Sequence, residues 1–330
     1  MLIPRYWSRA ESQATTPAGK FVRFHVWRGS RSSPAEAQSL ADEAVGRIAE
    51  RIRAGAGFPE RYAYGDRPLR EEVVGEFPGA TPADAPEAAL TRNAYGAVVL
   101  NAARVFFIDV DVERADTPQP PGSSSSPSAL PADPMAAARE LVDALPLPGG
   151  VKSLLGGFFG SKPVAPAAPP PPPPAPADPA SAAMDRLRRW MGSHPDWRVR
   201  VYRTHSGLRY LVTHALFAPT DPQAQEAMAA LGADPQYIRL CQVQKSFRAR
   251  LTPKPWRIGM ENPPVGFPYE SAGEEAQMRA WEGRYEAASQ GRATCRFVEE
   301  MGGGAEHPQV APLRTLHDER TRATSGLPLA

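Results

Sequence analysis

The alternation of apolar and polar positions divides the chain into two stretches of strands and helices with a long break between them. Gly19–Arg28 gathers Phe21, Val22, Phe24, Val26 and Trp27 and predicts a strand, which Gly29-Ser30 ends. Ser33-Pro34-Ala35-Glu36 then has the form of a capping box with proline at the first helical position. Ala37, Ala41, Ala44, Val45, Ile48 and Ile52 recur on one face of the helix that follows. Residues 56–90 hold glycine, proline and charge and read as a connection with a short helix at Leu69–Glu76. β-Branched and aromatic residues predict strands over Ala94–Leu100 and Arg104–Val112, joined as a hairpin by Asn101-Ala102-Ala103.

Order resumes with a helix at Met184–Met191, where Leu187 and Trp190 sit among Arg186, Arg188 and Arg189. Alternating strands at Trp197–Thr204 and Leu208–His214 follow, joined at His205-Ser206-Gly207, where glycine can take positive φ. Asp221-Pro222 and Asp234-Pro235 each pair an N-cap with a first-turn proline and predict two helix starts. Leu251–Phe267 reads as a proline-rich loop, Glu274–Ala288 as a helix, Thr294–Glu299 as a strand and Ala311–Arg322 as a last helix. Strand, helix, strand, strand, helix, strand, strand contains the βαββαβ order, so the predicted fold is α+β: a ferredoxin-like or RRM-like antiparallel sheet core with helices.

Composition explains the break. The 330 residues include 38 prolines, more than twice the usual share of about 5 %, and they cluster between Ala115 and Ala182 with the runs Ser123–Ser126 and Pro169–Pro174. That segment reads as a disordered insert in one core formed by residues 1–114 and 183–330, the second part carrying a helical extension. Within it, Pro134–Leu145 fits a short helix and Val151–Phe159 is an apolar, glycine-rich patch. Either a partner-docking peptide or a loosely packed piece fits that pattern, and extended polyproline segments suit recruitment of a protein partner. Cys241 and Cys295 form no metal-ligand spacing, no apolar run approaches membrane-spanning length, and the first residues lack a signal-like apolar region. The expectation is a cytoplasmic protein with no membrane partner. A net charge of +2 says little about ligands; the local distribution says more.

On a strand, Asp109, Asp111 and Glu113 share one face while Phe106, Ile108, Val110 and Val112 share the other. Three like charges in a row repel one another, and divalent cations, Mg²⁺ or Mn²⁺, would offset that repulsion. The plainer account is a solvated strand face running into an acidic loop. Arg198, Arg200, Arg203 and Arg209 crowd the second hairpin, whose Thr204-His205-Ser206-Gly207 turn offers amides and hydroxyls to a phosphate, or simply forms a polar tip. From Pro235 to Met260 no acid occurs, whereas Lys245, Arg248, Arg250, Lys254 and Arg257 interleave with Phe247 and Trp256. Cations beside stacking aromatics are the composition of a single-strand channel; helix-spaced Tyr237, Leu240, Cys241, Gln244 and Phe247 would instead be core. Serine-hydrolase elbows, P-loops and Rossmann fingerprints are absent from the sequence.

Phe107-Ile108-Asp109-Val110-Asp111, followed by Tyr202-Arg203-Thr204-His205-Ser206-Gly207-Leu208-Arg209-Tyr210, resembles the archaeo-eukaryotic primase and primase-polymerase superfamily. The resemblance implies an RRM-like fold in which Asp109 and Asp111, with Glu113 or Glu299 as a further acid, hold two divalent ions. It also implies that Arg203, Ser206, Gly207 and Arg209 bind a nucleoside triphosphate. Tyr210 stands where that family's motif has histidine and Leu208 where it has a second glycine. The expected activity is metal-dependent nucleotidyl transfer, with Lys245, Arg248, Arg250, Lys254, Trp256 and Arg257 guiding a nucleic-acid strand. The alternatives are a non-catalytic nucleotide- or nucleic-acid-binding protein of the same fold, and an interaction scaffold that uses the proline-rich insert.

Overall fold

The computed structural model describes residues 1–56, 69–77, 87–112 and 179–330. Glu113, the insert up to residue 178 and the segments predicted within it at Pro134–Leu145 and Val151–Phe159 lie outside the described residues, and the last four residues assigned to the insert, 179–182, belong instead to a helix. The chain on both sides of the insert, Met1–Arg114 and Ala177–Ala330, forms one compact unit.

An antiparallel hairpin opens the chain, β1 (Tyr6–Thr15) with β2 (Phe21–Ser30), and helix α1 (Pro34–Arg53) lies on one of its faces. Ser33 caps the helix by accepting a hydrogen bond from the Glu36 amide at 3.1 Å. Ala41, Val45, Ile48, Ala49 and Ile52 then pack against Ala10, Ala14, Phe24 and Val26.

Two four-stranded antiparallel sheets form the body. The first runs β3-β4-β5-β9, with β3 at Glu72–Phe77, β4 at Ala88–Arg92, β5 at Val98–Ala102 and β9 at Phe247–Arg250. The second runs β10-β7-β8-β6, with β6 at Phe107–Asp111, β7 at Val199–Thr204, β8 at Gly207–Val212 and β10 at Cys295–Met301. Helices α2 (Pro179–Ser193), α3 (Pro222–Leu231), α4 (Pro235–Gln244), α5 (Ala272–Ser289) and α6 (Ala311–Thr321) complete the described residues. Phe106 and Phe247, centroids 4.6 Å apart, belong with Leu100, Ile108, Tyr210 and Met228 to one buried core shared by the two sheets.

The α+β class and the antiparallel pairing match the expectation, and the arrangement of strands corrects it. Asn101 and Ala102 are part of β5, not of a turn, and the chain crosses from one sheet to the other before β6. Strand β5 has a partner on each edge, β4 and β9, so it leaves no edge for β6, which pairs with β8 instead. Glu72–Phe77 is a strand in place of the predicted helix at Leu69–Glu76, because Val73 and Val74 favour the extended chain, with a register shift between Val73 and Gly75 that leaves Val74 as the extra residue. Strand β2 pairs with β1 in a ribbon of its own. No helix among the described residues is long and apolar enough to cross a membrane.

Candidate functional site

Register decides which polar side chains meet. Asp109 lies opposite Arg209, Arg209 opposite Tyr202, and Asp111 opposite Gly207, so these residues share one face of the β6–β8–β7 ribbon. Arg203 pairs with Leu208 and Leu208 with Val110, which places Arg203 on the other face, away from Asp109. Gly207 does not adopt the positive φ that the turn suggested. A Cβ there would lie 2.0 Å from the Val110 carbonyl oxygen, so glycine is required for the close approach of β8 to β6.

Arg209 is 2 % exposed. Its Nε donates to Asp109 Oδ1 at 2.6 Å and Nη2 to Oδ2 at 2.9 Å, while Nη1 donates to the Arg250 carbonyl at 2.9 Å and to His317 Nε2 at 3.3 Å. Burial works against the guanidinium's charge, and Asp109 more than offsets it, leaving the pKa raised. His317 Nδ1 lies 3.0 Å from Asp318 Oδ1, so the imidazole donates there and accepts from Arg209 through Nε2. Asp318 also accepts from Tyr202 (2.7 Å) and from Arg200 (2.9 Å). Burial first, and then Arg209, push the His317 pKa down to about 4, although Asp318 pulls the other way. Cys295 Sγ is 3.9 Å from His317 Nε2, an arrangement that looks like a nucleophile with its base. The thiol is buried and pushed up to about 11 by that burial, so this cluster supports Arg209 and presents no nucleophile.

In front of Asp109 and Asp111 opens a cavity of about 1260 Å³, whose wall also includes Ser206, Arg250, Lys254 and Arg257. Arg257 donates to Ser206 Oγ at 2.6 Å. The Lys254 ammonium stands 5.3 Å from the ring centre of Trp256, which is 53 % exposed and meets Tyr95 edge-on at 5.4 Å. Burial, and then Arg250 and Arg257, push the Lys254 pKa down to about 8. Burial also lowers the Arg250 pKa, with Arg209 adding to the effect. Asp111 moves the opposite way: burial and then Asp109 raise its pKa, while Lys254 and Arg257 oppose the rise.

The predicted basic run therefore divides. Arg248 reaches the cavity wall but is bound to Glu71 (2.7 and 2.9 Å) and Asn101 (2.6 Å). Lys245 caps α4 in the left-handed conformation at φ 50°, is exposed, and is not part of the cavity wall. Glu299 faces Arg188 of α2 at 3.6 Å, away from the two aspartates. Both oxygens of Asp109 are occupied by Arg209, and among the described residues no group of three His, Cys, Asp or Glu side chains is placed to hold a metal ion. Asp111 is the remaining carboxylate donor of the predicted pair within the described residues, so these residues alone fall short of a two-ion donor set.

Sequence reasoning missed His317, Asp318 and Tyr202, whose importance comes from packing against Arg209 and Arg200 across more than a hundred residues of chain. No protein-family model, curated protein or solved structure gives a significant match to this chain.

Proposed function

We propose that the cavity is a binding cleft for the phosphates of a nucleotide or of a single-stranded nucleic acid. The observation that carries this reading is the convergence of Arg250, Lys254 and Arg257 on one cavity, with the exposed ring of Trp256 next to Lys254 and outside the cavity wall. Lys254, whose charge burial and then Arg250 and Arg257 weaken, gains from an incoming polyanion, and an exposed aromatic beside it offers a base a face on which to stack. Within this reading Ser206 is a hydroxyl contact already aligned by Arg257. Gly207 and Arg209 act indirectly, by setting the position of β8 and of Asp109.

Metal-dependent nucleotidyl transfer is the second reading, favoured by the single fact that Asp109 and Asp111 face the same cavity as the three cations. Asp111 would be the first ligand of Mg²⁺ or Mn²⁺, and Asp109 would join only after separating from Arg209. An RRM-like core belongs to this proposal too, supported by the β-α-β-β-α-β order of β6, α2, β7, β8, intervening helices and β10 within one sheet, although β6 stands at the sheet edge where that fold has its first strand in the middle.

The test is calorimetric titration of the protein with a nucleoside triphosphate, inorganic triphosphate and the bare nucleoside, in wild type and Lys254→Met. The reading expects binding of the two phosphate compounds, weakened about tenfold or more in the variant, with the nucleoside far weaker than either. Equal affinity for nucleoside and triphosphate would overturn it. Mn²⁺ binding that requires Asp111 and strengthens with nucleotide would favour the transferase reading.

A further inference from the structure

The cavity does not end at the cations. Its wall also includes Trp7 and Trp27 of the N-terminal ribbon and Phe267 and Tyr269 of the loop before α5. Strand alternation accounts for the first pair: Ala10, Ala14, Phe24 and Val26 turn to α1, and the residues of opposite parity, Trp7 and Trp27, turn away from it. Phe267 meets Trp7 edge-on at 6.4 Å and Tyr269 at 5.6 Å, so these three rings form a connected cluster, and Trp27 lines the same cavity. All four are half-buried, and Tyr269 is also held by Arg279, 5.7 Å from its ring centre, and by Glu72, which accepts from its hydroxyl at 2.9 Å. At about 1260 Å³ the cavity also exceeds the roughly 300–1,000 Å³ of a small-ligand pocket. A mononucleotide at Lys254 already has Tyr95 of the cavity wall, with Trp256 against it, for its base, and leaves the aromatic cluster without an occupant.

We infer that Trp7, Trp27, Phe267 and Tyr269 form a second base-stacking subsite, and that the cleft takes a single-stranded nucleic acid with phosphates at Arg250, Lys254 and Arg257 and a further base at the aromatic end. The inference rests on the phosphate-binding reading and adds an N-terminal subsite to it. The ribbon thereby gains a role in recognition. Stacking contributes independently of sequence because every base has a π face, so the subsite selects for strand length and not for base identity.

The experiment is fluorescence-anisotropy competition with 5′-phosphorylated oligodeoxyadenylates of increasing length from the mononucleotide upward, on wild type, on Trp7→Ala/Trp27→Ala and on Trp27→Phe, each checked for an unchanged thermal transition. Wild-type affinity should rise by roughly tenfold or more once the strand reaches the aromatic end, at on the order of four nucleotides. The alanine pair should lose that gain and keep mononucleotide affinity, and Trp27→Phe should keep most of both. A wild type that binds the mononucleotide as tightly as every longer strand overturns the second subsite and leaves the phosphate site standing. If no length binds, including the mononucleotide, the phosphate reading itself fails and the subsite with it. Should the alanine pair unfold, the wild-type length series together with Trp27→Phe still decides the question.

Discussion

Arg209 and Lys254 border the same cavity, and their charges are handled in opposite ways. Arg209 is enclosed and held by a carboxylate, a carbonyl and an imidazole, so that its guanidinium is more firmly charged than in water. Lys254 lies among Arg250 and Arg257, and its charge is weakened to a pKa of about 8. Charge that the fold has already matched serves the fold, whereas the like charge gathered at Lys254 is what the phosphate-binding proposal rests on. Asp109 and Asp111 show the same contrast, the first engaged by Arg209 and the second pushed towards its neutral form by burial and by its neighbour.

The largest effect should come from cutting the matched end. Asp109→Ala leaves Arg209 buried without its counter-charge and should cost about 3–5 kcal/mol in denaturant unfolding. Asp109→Ala/Arg209→Met should recover much of that loss, whereas Asp111→Ala should leave stability unchanged or raise it. A purely catalytic Asp109 would behave like Asp111, which makes the pair of unfolding curves decisive.

A smaller loss is expected on acidification. His317 titrates at about 4 in the folded protein and near 6.5 unfolded, so the unfolded chain binds the extra proton first as pH falls. Stability is therefore full above about 6.5 and declines as pH drops towards 4, by roughly 3 kcal/mol for this group. His214, also lowered by burial, adds in the same direction, and Asp318, held below its ordinary value by His317 and Tyr202 against its own burial, contributes only at lower pH. Unfolding curves at a series of pH values should be visibly flatter in this window for His317→Gln.

Gly207→Ala comes next, with about 1–3 kcal/mol of destabilisation from the collision with the Val110 carbonyl, read as a lowered melting temperature with the fold retained.

How much of this was legible in the chain depended on the range of the signal. Helices α1, α3 and α4 could be read because Ser33, Asp221 and Asp234 lie beside the prolines that start them. The β7–β8 hairpin was legible from alternation and its short turn. Strand β9 was not, because Phe247 continues the helical spacing of Tyr237, Leu240 and Gln244, and the helix ends one residue before a left-handed Lys245 that no glycine announces. Strand β1 escaped because Ala10 and Ala14, small residues among polar ones, carry its buried face. At the site, the motif resemblance brought Asp109 and Arg209 into one account but assigned the arginine to a ligand. Only the register of β6 against β8 reveals that the two residues bind each other. The same register separates Arg203 from Arg209, a distinction that spacing within a hairpin cannot make until the pairing is known.

The account divides the cavity into charge that belongs to the fold and charge that waits for phosphate, and the pH dependence of triphosphate affinity tests that division most directly. On the phosphate-binding proposal Lys254 would hold the anion in its protonated form, so wild-type affinity should fall as pH rises through about 8, with proton uptake on binding in that range. Lys254→Met should bind about tenfold more weakly at neutral pH and lose the dependence. Superimposable pH profiles for wild type and Lys254→Met, at equal affinity, would contradict the account.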